Sequence, residues 1–153
     1  MEMPAQTRPF VEVLMPNNIG NMLACKLNNL VKYAEFCSKP LEVDEWRSLA
    51  SQNEIVLAKV SNTSCETLVG IGMMAACVTG YGSRGIVTNV FVDGYYKQGV
   101  ESDLLGALFK TAKVRGFVSI EIKASTRGLR AACREDFHMN EYQSPICFFF
   151  RAP

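Results

Sequence analysis

The sequence predicts an α/β (α+β) domain, a mixed and mostly antiparallel sheet flanked by helices. Three observations carry that expectation. Residues 54–92 read as three apolar, strand-like runs joined by short turns. Two stretches, 17–36 and 100–112, repeat apolar residues at spacings of three and four, the period of an amphipathic helix. Beyond the second helix, FVSIEIK at 117–123 alternates cleanly. Strands followed by helix, strand, helix and strand imply a mixed sheet with helices on its faces.

The first element is a short strand at 10–15 (FVEVLM) that stops at Pro16. NNIGNMLACKLNNLVKYAEF then sets Ile19, Leu23, Leu27, Leu30, Val31 and Ala34 on one stripe, with Asn17 or Asn18 as the cap. Pro40 starts a shorter helical piece through Trp46 and Leu49. EIVLAKV (54–60) and TLVGIGMMAACV (67–78) are strands separated by Ser61, Asn62, Thr63 and Ser64. Gly80, Gly82 and Gly85 bracket a turn before the third strand, IVTNVFV (86–92), and the three form an antiparallel meander. Gly70 and Gly72 share one strand face; they either mark a bulge or admit the close approach of another backbone or a ligand.

Val100, Leu104, Leu108 and Ala112 repeat at four, with Leu105 and Ala107 in support, and Gly116 ends that helix. Val118, Ile120 and Ile122 are expected to face inward on the next strand. A short helix at 127–134 and a last strand at 146–151 complete the order. Phe148, Phe149 and Phe150 cannot share one face of that strand. Either both faces are covered or Phe149 meets another chain, which makes a homodimer or partner surface an expectation.

The bulk numbers set limits. A length of 153 residues suits one domain, 1–153, with one continuous core, and there is no repeat, low-complexity stretch or linker to divide it. Hydrophobic residues at 48% and charged residues at 20% are globular rather than disordered proportions. Lys plus Arg at 16 against Asp plus Glu at 15 leaves +1, no field to draw the chain to nucleic acid or an anionic membrane. No apolar run reaches the roughly 18 residues of a membrane span, and residues 1–9 lack a signal-peptide core. The six cysteines (Cys25, Cys37, Cys65, Cys77, Cys133 and Cys147) form no C-x-x-C pair and several lie in apolar segments. They read as reduced thiols of a cytoplasmic protein. With His138 as the single histidine, no metal site is expected.

The informative stretch is VFVDGYYKQGVESDLLGALF at 90–109, a strand that enters a glycine-containing loop and then a helix. The first N–H groups of such a helix are unpaired and suit an anion. Together with the element order, Val92, Asp93, Tyr96, Lys97, Gly99, Val100, Leu104 and Leu105 resemble the V-D-P-x-Y-R-G-x-G-I-G-x-x-L-L pattern of the GNAT acetyltransferase superfamily. The resemblance covers about residues 10–151 in element order and is specific around 86–106. It implies acetyl-CoA as cofactor, with the strand backbone at Phe91 and Val92 beside the thioester. It further implies a pyrophosphate loop containing Lys97, Gln98, Gly99, Val100 and Ser102.

The chain departs from that pattern in several places. The loop is one residue shorter between Lys97 and Gly99, Glu101 replaces the second glycine of R/Q-x-x-G-x-G/A, and Asp103 adds another acid. A carboxylate about 5 Å from a phosphate charge opposes it by roughly 3 kcal/mol at an effective dielectric near 20. The same acids stabilise the first turn of a helix by about 0.3–1 kcal/mol. Thr88 and Asn89 stand where many relatives carry an acidic base, and neither takes up a proton at neutral pH. The family's acidic tyrosine before Gly-Phe has no match near Phe137; with a one-residue slip Cys133 takes that place as a weak acid, and otherwise it is a buried structural thiol. Ser125 or Thr126 replaces the Asn or Asp near the last helix. Tyr95 and Tyr96 either line the cleft or cover the helix end, and His138 is a base or a structural or exposed residue.

Two functions are therefore expected as alternatives. One is transfer of an acetyl group from acetyl-CoA to an amine-bearing small molecule or protein, with Lys97 and the intact strand-to-helix frame in its favour. The other is a pseudoenzyme with a degenerate motif that binds or inhibits a protein partner, favoured by Glu101, Asp103 and the shortened loop.

Overall fold

The structure is a computed structural model that describes residues 9–32, 34, 39–61, 66–80, 82–124, 126–141 and 147–151, without the side chains at 95, 97, 98, 141 and 147–151. In chain order the elements are β1 (Phe10–Val13), a 3-10 turn (Pro16–Asn18), α1 (Asn21–Val31), α2 (Val43–Gln52), β2 (Asn53–Ser61), β3 (Glu66–Thr79) and β4 (Gly82–Val92). A second 3-10 turn (Gly94–Tyr96) leads to α3 (Lys97–Val114), β5 (Ser119–Lys123), α4 (Arg127–Ala131), a π-helical turn (Ala132–Asp136), β6 (Asn140–Glu141) and β7 (Cys147–Arg151). The seven strands make one sheet in the order β1-β2-β3-β4-β5-β7-β6. Among the described residues β4 and β5 alone pair in parallel, and the other five pairings are antiparallel. The expected mixed, mostly antiparallel sheet and its meander of three strands are therefore present. Among the described residues no helix is long and apolar enough to cross a membrane.

Each face of the sheet has its own core. On one face Ile55, Leu57, Ile71 and Met73 pack under α1 and α2, where Trp46 is fully buried. The Trp46 indole N–H donates to Asn28 Oδ1 at 3.1 Å, and the Asn28 amide also donates to the Leu41 carbonyl at 2.8 Å, so one side chain on α1 fixes the approach to α2. On the other face Val56, Ala58, Val60 and Val92 pack under α3, whose Val100, Leu104, Leu108 and Ala112 form the buried stripe that the four-residue repeat predicted. This helix ends as its glycine requires: Gly116 has φ +73°, its N–H bonds the Lys113 carbonyl at 3.1 Å, and Phe117 N–H bonds Ala112 at 2.9 Å.

Gly70 and Gly72 combine both readings of their spacing. Ala58 pairs with Gly70 and Lys59 with Leu68, so Val69 is the extra residue of a bulge beside Gly70. A Cβ on Gly70 would stand 3.0 Å from Leu104 Cδ1, and one on Gly72 would stand 3.2 Å from Leu108 Cδ1. The missing side chains let α3 sit close on β3. Gly72→Val is expected to destabilise the protein by about 1–3 kcal/mol through overpacking, read by denaturant unfolding. Unchanged stability would mean that α3 does not seat there.

Four expectations need correction. The cap of α1 is Gly20, not Asn17 or Asn18, because Pro16 starts a 3-10 turn that consumes 16–18 and accepts the Ile19 N–H at 3.2 Å. Pro40 lies before α2, which begins at Val43 behind a capping box of Glu42 and Glu45. Gly82 and Gly85 belong to β4 rather than to a turn. Val118 is 45% exposed and precedes β5, whereas Ile120 and Ile122 are buried. The expected turn at Asn62, Thr63 and Ser64 and the faces taken by Phe148, Phe149 and Phe150 lie outside the described residues.

Candidate functional site

The parallel pair is where the sheet opens. Pairing of β4 with β5 covers Arg84 to Val87 against Ser119 to Ile122 and goes no further. On its other side β4 stays paired with β3 up to Val92. The cause lies in the register: Met73 pairs with Asn89 and Met74 with Val87, so Thr88 is an extra residue, and its hydroxyl turns back to the Met73 carbonyl at 3.4 Å. Bulges bend a strand and end pairing in this way. Beyond Thr88 the β5 side of β4 has no strand partner among the described residues.

Alternation decides which groups face that gap. Asp93 N–H donates to the Val69 carbonyl of β3 at 2.9 Å. Stepping back along the strand, Phe91 also turns its backbone groups to β3, and Val92 and Val90 turn theirs to the gap. Side chains alternate too. Val92 is buried under α3, whereas Phe91 packs on the α1 face and lines a cavity of about 640 Å³ with Lys26, Asn29, Leu30, Glu66, Leu68 and Asp93. Lys26 Nζ donates to the Glu66 carbonyl at 3.3 Å across this cavity's rim. The gap between two strands thus lies between an apolar core on one face and an open, partly charged cavity on the other.

The strand runs directly into the expected anion loop. Gly99 has φ +82° in the first turn of α3, and nothing lies within 4 Å of its Cβ position. A left-handed residue beside helical ones turns successive N–H groups into one concavity that suits an anion. Lys97 and Gln98 contribute backbone to this turn, and their side chains lie outside the described residues, as does that of Tyr95. Val100 is 2% exposed and serves as the helix's first core contact. Ser102 Oγ donates to Asp136 Oδ2 at 2.8 Å, which ties the helix to the π-helical turn. Tyr96 is half-buried against the α3 core, and His138 is exposed with φ 50°.

Glu101 does not project into the loop. It is 5% exposed, and its Oε2 accepts the Thr126 hydroxyl at 2.7 Å. Thr126 caps α4, accepting the Leu129 N–H at 3.1 Å. Sequence reasoning weighed Glu101 as a charge opposing phosphate or stabilising the first helical turn, and missed Thr126 and Gly128 as its partners. The signal was a hydroxyl cap followed two residues later by glycine, but nothing in the order of residues says that α3 and α4 meet.

Cys133 lies in the π-helical turn, fully buried among the residues under α3. Burial pushes its thiol up from 9.0 to about 12, against a smaller opposing backbone hydrogen bond. It therefore holds its proton throughout the neutral range. Ser125 lies outside the described residues.

No protein-family model matches the sequence, and no curated protein matches it. Solved structures do. An aminoglycoside acetyltransferase from an uncultured soil metagenomic sample, in complex with sisomicin, is 18% identical with TM-score 0.66 over 88% of this chain and 91% of its own. A chain of the NatC complex bound to Gag peptide and CoA is 10% identical, with TM-score 0.69 over 95% of this chain and 99% of that one. A ribosomal-protein-alanine N-acetyltransferase from Brucella melitensis biovar Abortus 2308 is 15% identical, with TM-score 0.65 over 88% and 93%. The chain has the GNAT fold. At these identities the likeness establishes architecture, and chemistry has to be argued from the site.

Proposed function

We propose that this chain is an N-acetyltransferase that moves an acetyl group from acetyl-CoA to an amine. The observation that carries the proposal is the edge of β4 from Thr88 to Val92, without a strand partner on the β5 side among the described residues and continuous with the left-handed turn at Gly99. A single bulge makes the gap, ends the strand pairing and aims backbone donors into it. The residues present fit the carrier along the strand, where β4 has no partner on the β5 side among the described residues, and at Gly99, where no side chain lies within 4 Å of the Cβ position. At the diphosphate end Glu101 holds its carboxylate on Thr126, beside the α3 turn rather than in it.

Acetyl-CoA supplies a thioester whose carbonyl carbon accepts an amine nitrogen. The chain's part is to bind and orient. Val92 N–H faces the gap as a donor for the carbonyl oxygen, where fixed donors favour developing negative charge without reorganising. Phe91 forms the wall between gap and cavity, and the first turn of α3, from Lys97 to Ser102, receives the diphosphate. The cavity on the α1 face admits the acceptor. Lys26, Glu66 and Asp93 give its wall both signs of charge, and Glu66 Oε2 also lies 3.5 Å from Lys59 Nζ. Thr88 and Asn89 take no proton, so an amine arriving as ammonium would give one proton to water in the open cavity before attack, and its second would leave with the CoA sulfur as the C–S bond breaks. Positioning supplies much of such a rate enhancement.

One observation favours a second reading, a GNAT-fold protein that has lost transfer and binds a protein partner: a buried carboxylate, Glu101, stands in the first turns of the anion-binding helix. A thermal-melt titration with acetyl-CoA separates the two readings. Ligand at about 100 times its dissociation constant should add roughly 2.7 kcal/mol, a rise of several degrees for a domain of this size. A rise followed by release of free CoA thiol with members of an amine panel supports transfer. No rise and no thiol release turns the assignment to the partner-binding reading.

A further inference from the structure

We infer that Glu101 sets the affinity of the cleft for its acyl carrier, by keeping a resident carboxylate between the first turns of α3 and α4. The inference rests on the acetyl-CoA reading above. Ionisable side chains are seldom fully buried without partners, because the loss of water costs several kcal/mol. Glu101 is 5% exposed and has a built partner. The Thr126 hydroxyl accepts the Leu129 N–H, so its one proton is committed to Glu101 Oε2 at 2.7 Å. The other oxygen, Oε1, lies 2.7 Å from where a Cβ on residue 128 would stand. A side chain at 128 would have to displace this oxygen, whereas glycine leaves it in place. A glutamate on α3, a hydroxyl cap before α4 and a glycine in that helix's first turn thus fit one another.

The location gives this arrangement its consequence. Strands β4 and β5 are parallel, and α3 and α4 each begin a few residues past their carboxyl ends. In open sheets with parallel neighbours, ligands enter outside those ends. The Glu101–Thr126 contact crosses this mouth. A carrier whose diphosphate sits on the α3 turn brings like charge toward a carboxylate that water screens poorly. A carrier without diphosphate meets no such opposition. Glu101 therefore lowers affinity for the nucleotide end of the carrier and is indifferent to the arm lying along β4.

Calorimetric titration of coenzyme A and of pantetheine, which lacks the diphosphate, into the wild type and Glu101→Gln tests this at fixed salt. Coenzyme A is expected to bind Glu101→Gln about 10-fold more tightly. Pantetheine should change by less than about two-fold, or stay below detection with both proteins. Should the glutamine variant fold poorly, Glu101→Gly carries the same expectation. Equal or weaker coenzyme A binding by the variant overturns the inference, as does an equal gain for pantetheine, which would mean that the cleft has merely loosened. Wild type that binds while the variant gains nothing removes the inference and leaves the acetyl-CoA reading standing. Binding by the variant alone supports the inference and removes that reading for the natural chain. No binding by any of them removes both.

Discussion

Val92→Pro is expected to slow acetyl transfer by about 10²–10³-fold, the loss typical of removing one fixed donor to a developing oxyanion. Proline deletes one N–H and little else at this position. The Asp93 N–H bonds Val69, so the Val92 N–H faces the gap and takes no part in the ladder with β3. Proline is tolerated in strands where the deleted N–H faces away from the ladder. The residue before it must be extended, and Phe91 already lies in β4. Some packing is lost because Val92 is 4% exposed, and a fall of a few degrees in melting temperature is expected. Phe91→Pro is the contrast: its N–H points to β3, so that variant should lose stability instead. Rates, melting and far-UV circular dichroism measured together decide the matter. A folded Val92→Pro protein with near wild-type kcat would show that the strand backbone does not polarise the carbonyl.

What could be read from the residues follows how local each signal is. The stripe of α3 and its stop at Gly116 were legible because helical period and a left-handed cap are properties of adjacent residues. The meander was legible because short turns force neighbouring strands to pair. The start of α1 was misread because Pro16 and Asn18 also suit a 3-10 turn, and only tertiary packing selects between them. The strand β6, two residues long, carries no periodicity at all. The site shows the same division. Gly99 and the run 90–109 gave the strand, turn and helix in order, whereas the bulge at Thr88 that opens the sheet depends on register between two strands. Glu101 was noticed for its charge, but its meaning depends on Thr126 and Gly128, 25 and 27 positions away, and no spacing rule reaches that far.

The second large effect is alkaline, and Cys133 carries it. Burial raises its thiol from 9.0 to about 12 in the folded protein. Below pH 9 the thiol is protonated both folded and unfolded, so its favourable burial is fully present. As pH rises past 9 the unfolded chain ionises while the folded one does not, and stability falls by about 1.4 kcal/mol per pH unit. Across the interval from 9.0 to about 12 the loss is on the order of 4 kcal/mol, a large share of a small domain's stability. Cys133→Ala removes the titrating group at the cost of a small cavity. Lysines and tyrosines titrate in the same range, so the difference between wild type and variant is the quantity to measure. Urea unfolding from pH 8 to 11 should give two stability curves that converge as pH rises. Parallel curves would mean that the thiol is not held in an apolar site. The same variant also tests proton donation. Loss of a general acid lowers kcat by about 10²–10⁴-fold, whereas loss of a packing residue leaves it within a few-fold. Cys133 is 0% exposed, so a donor role requires the π-helical turn to open, and the few-fold outcome is the expected one.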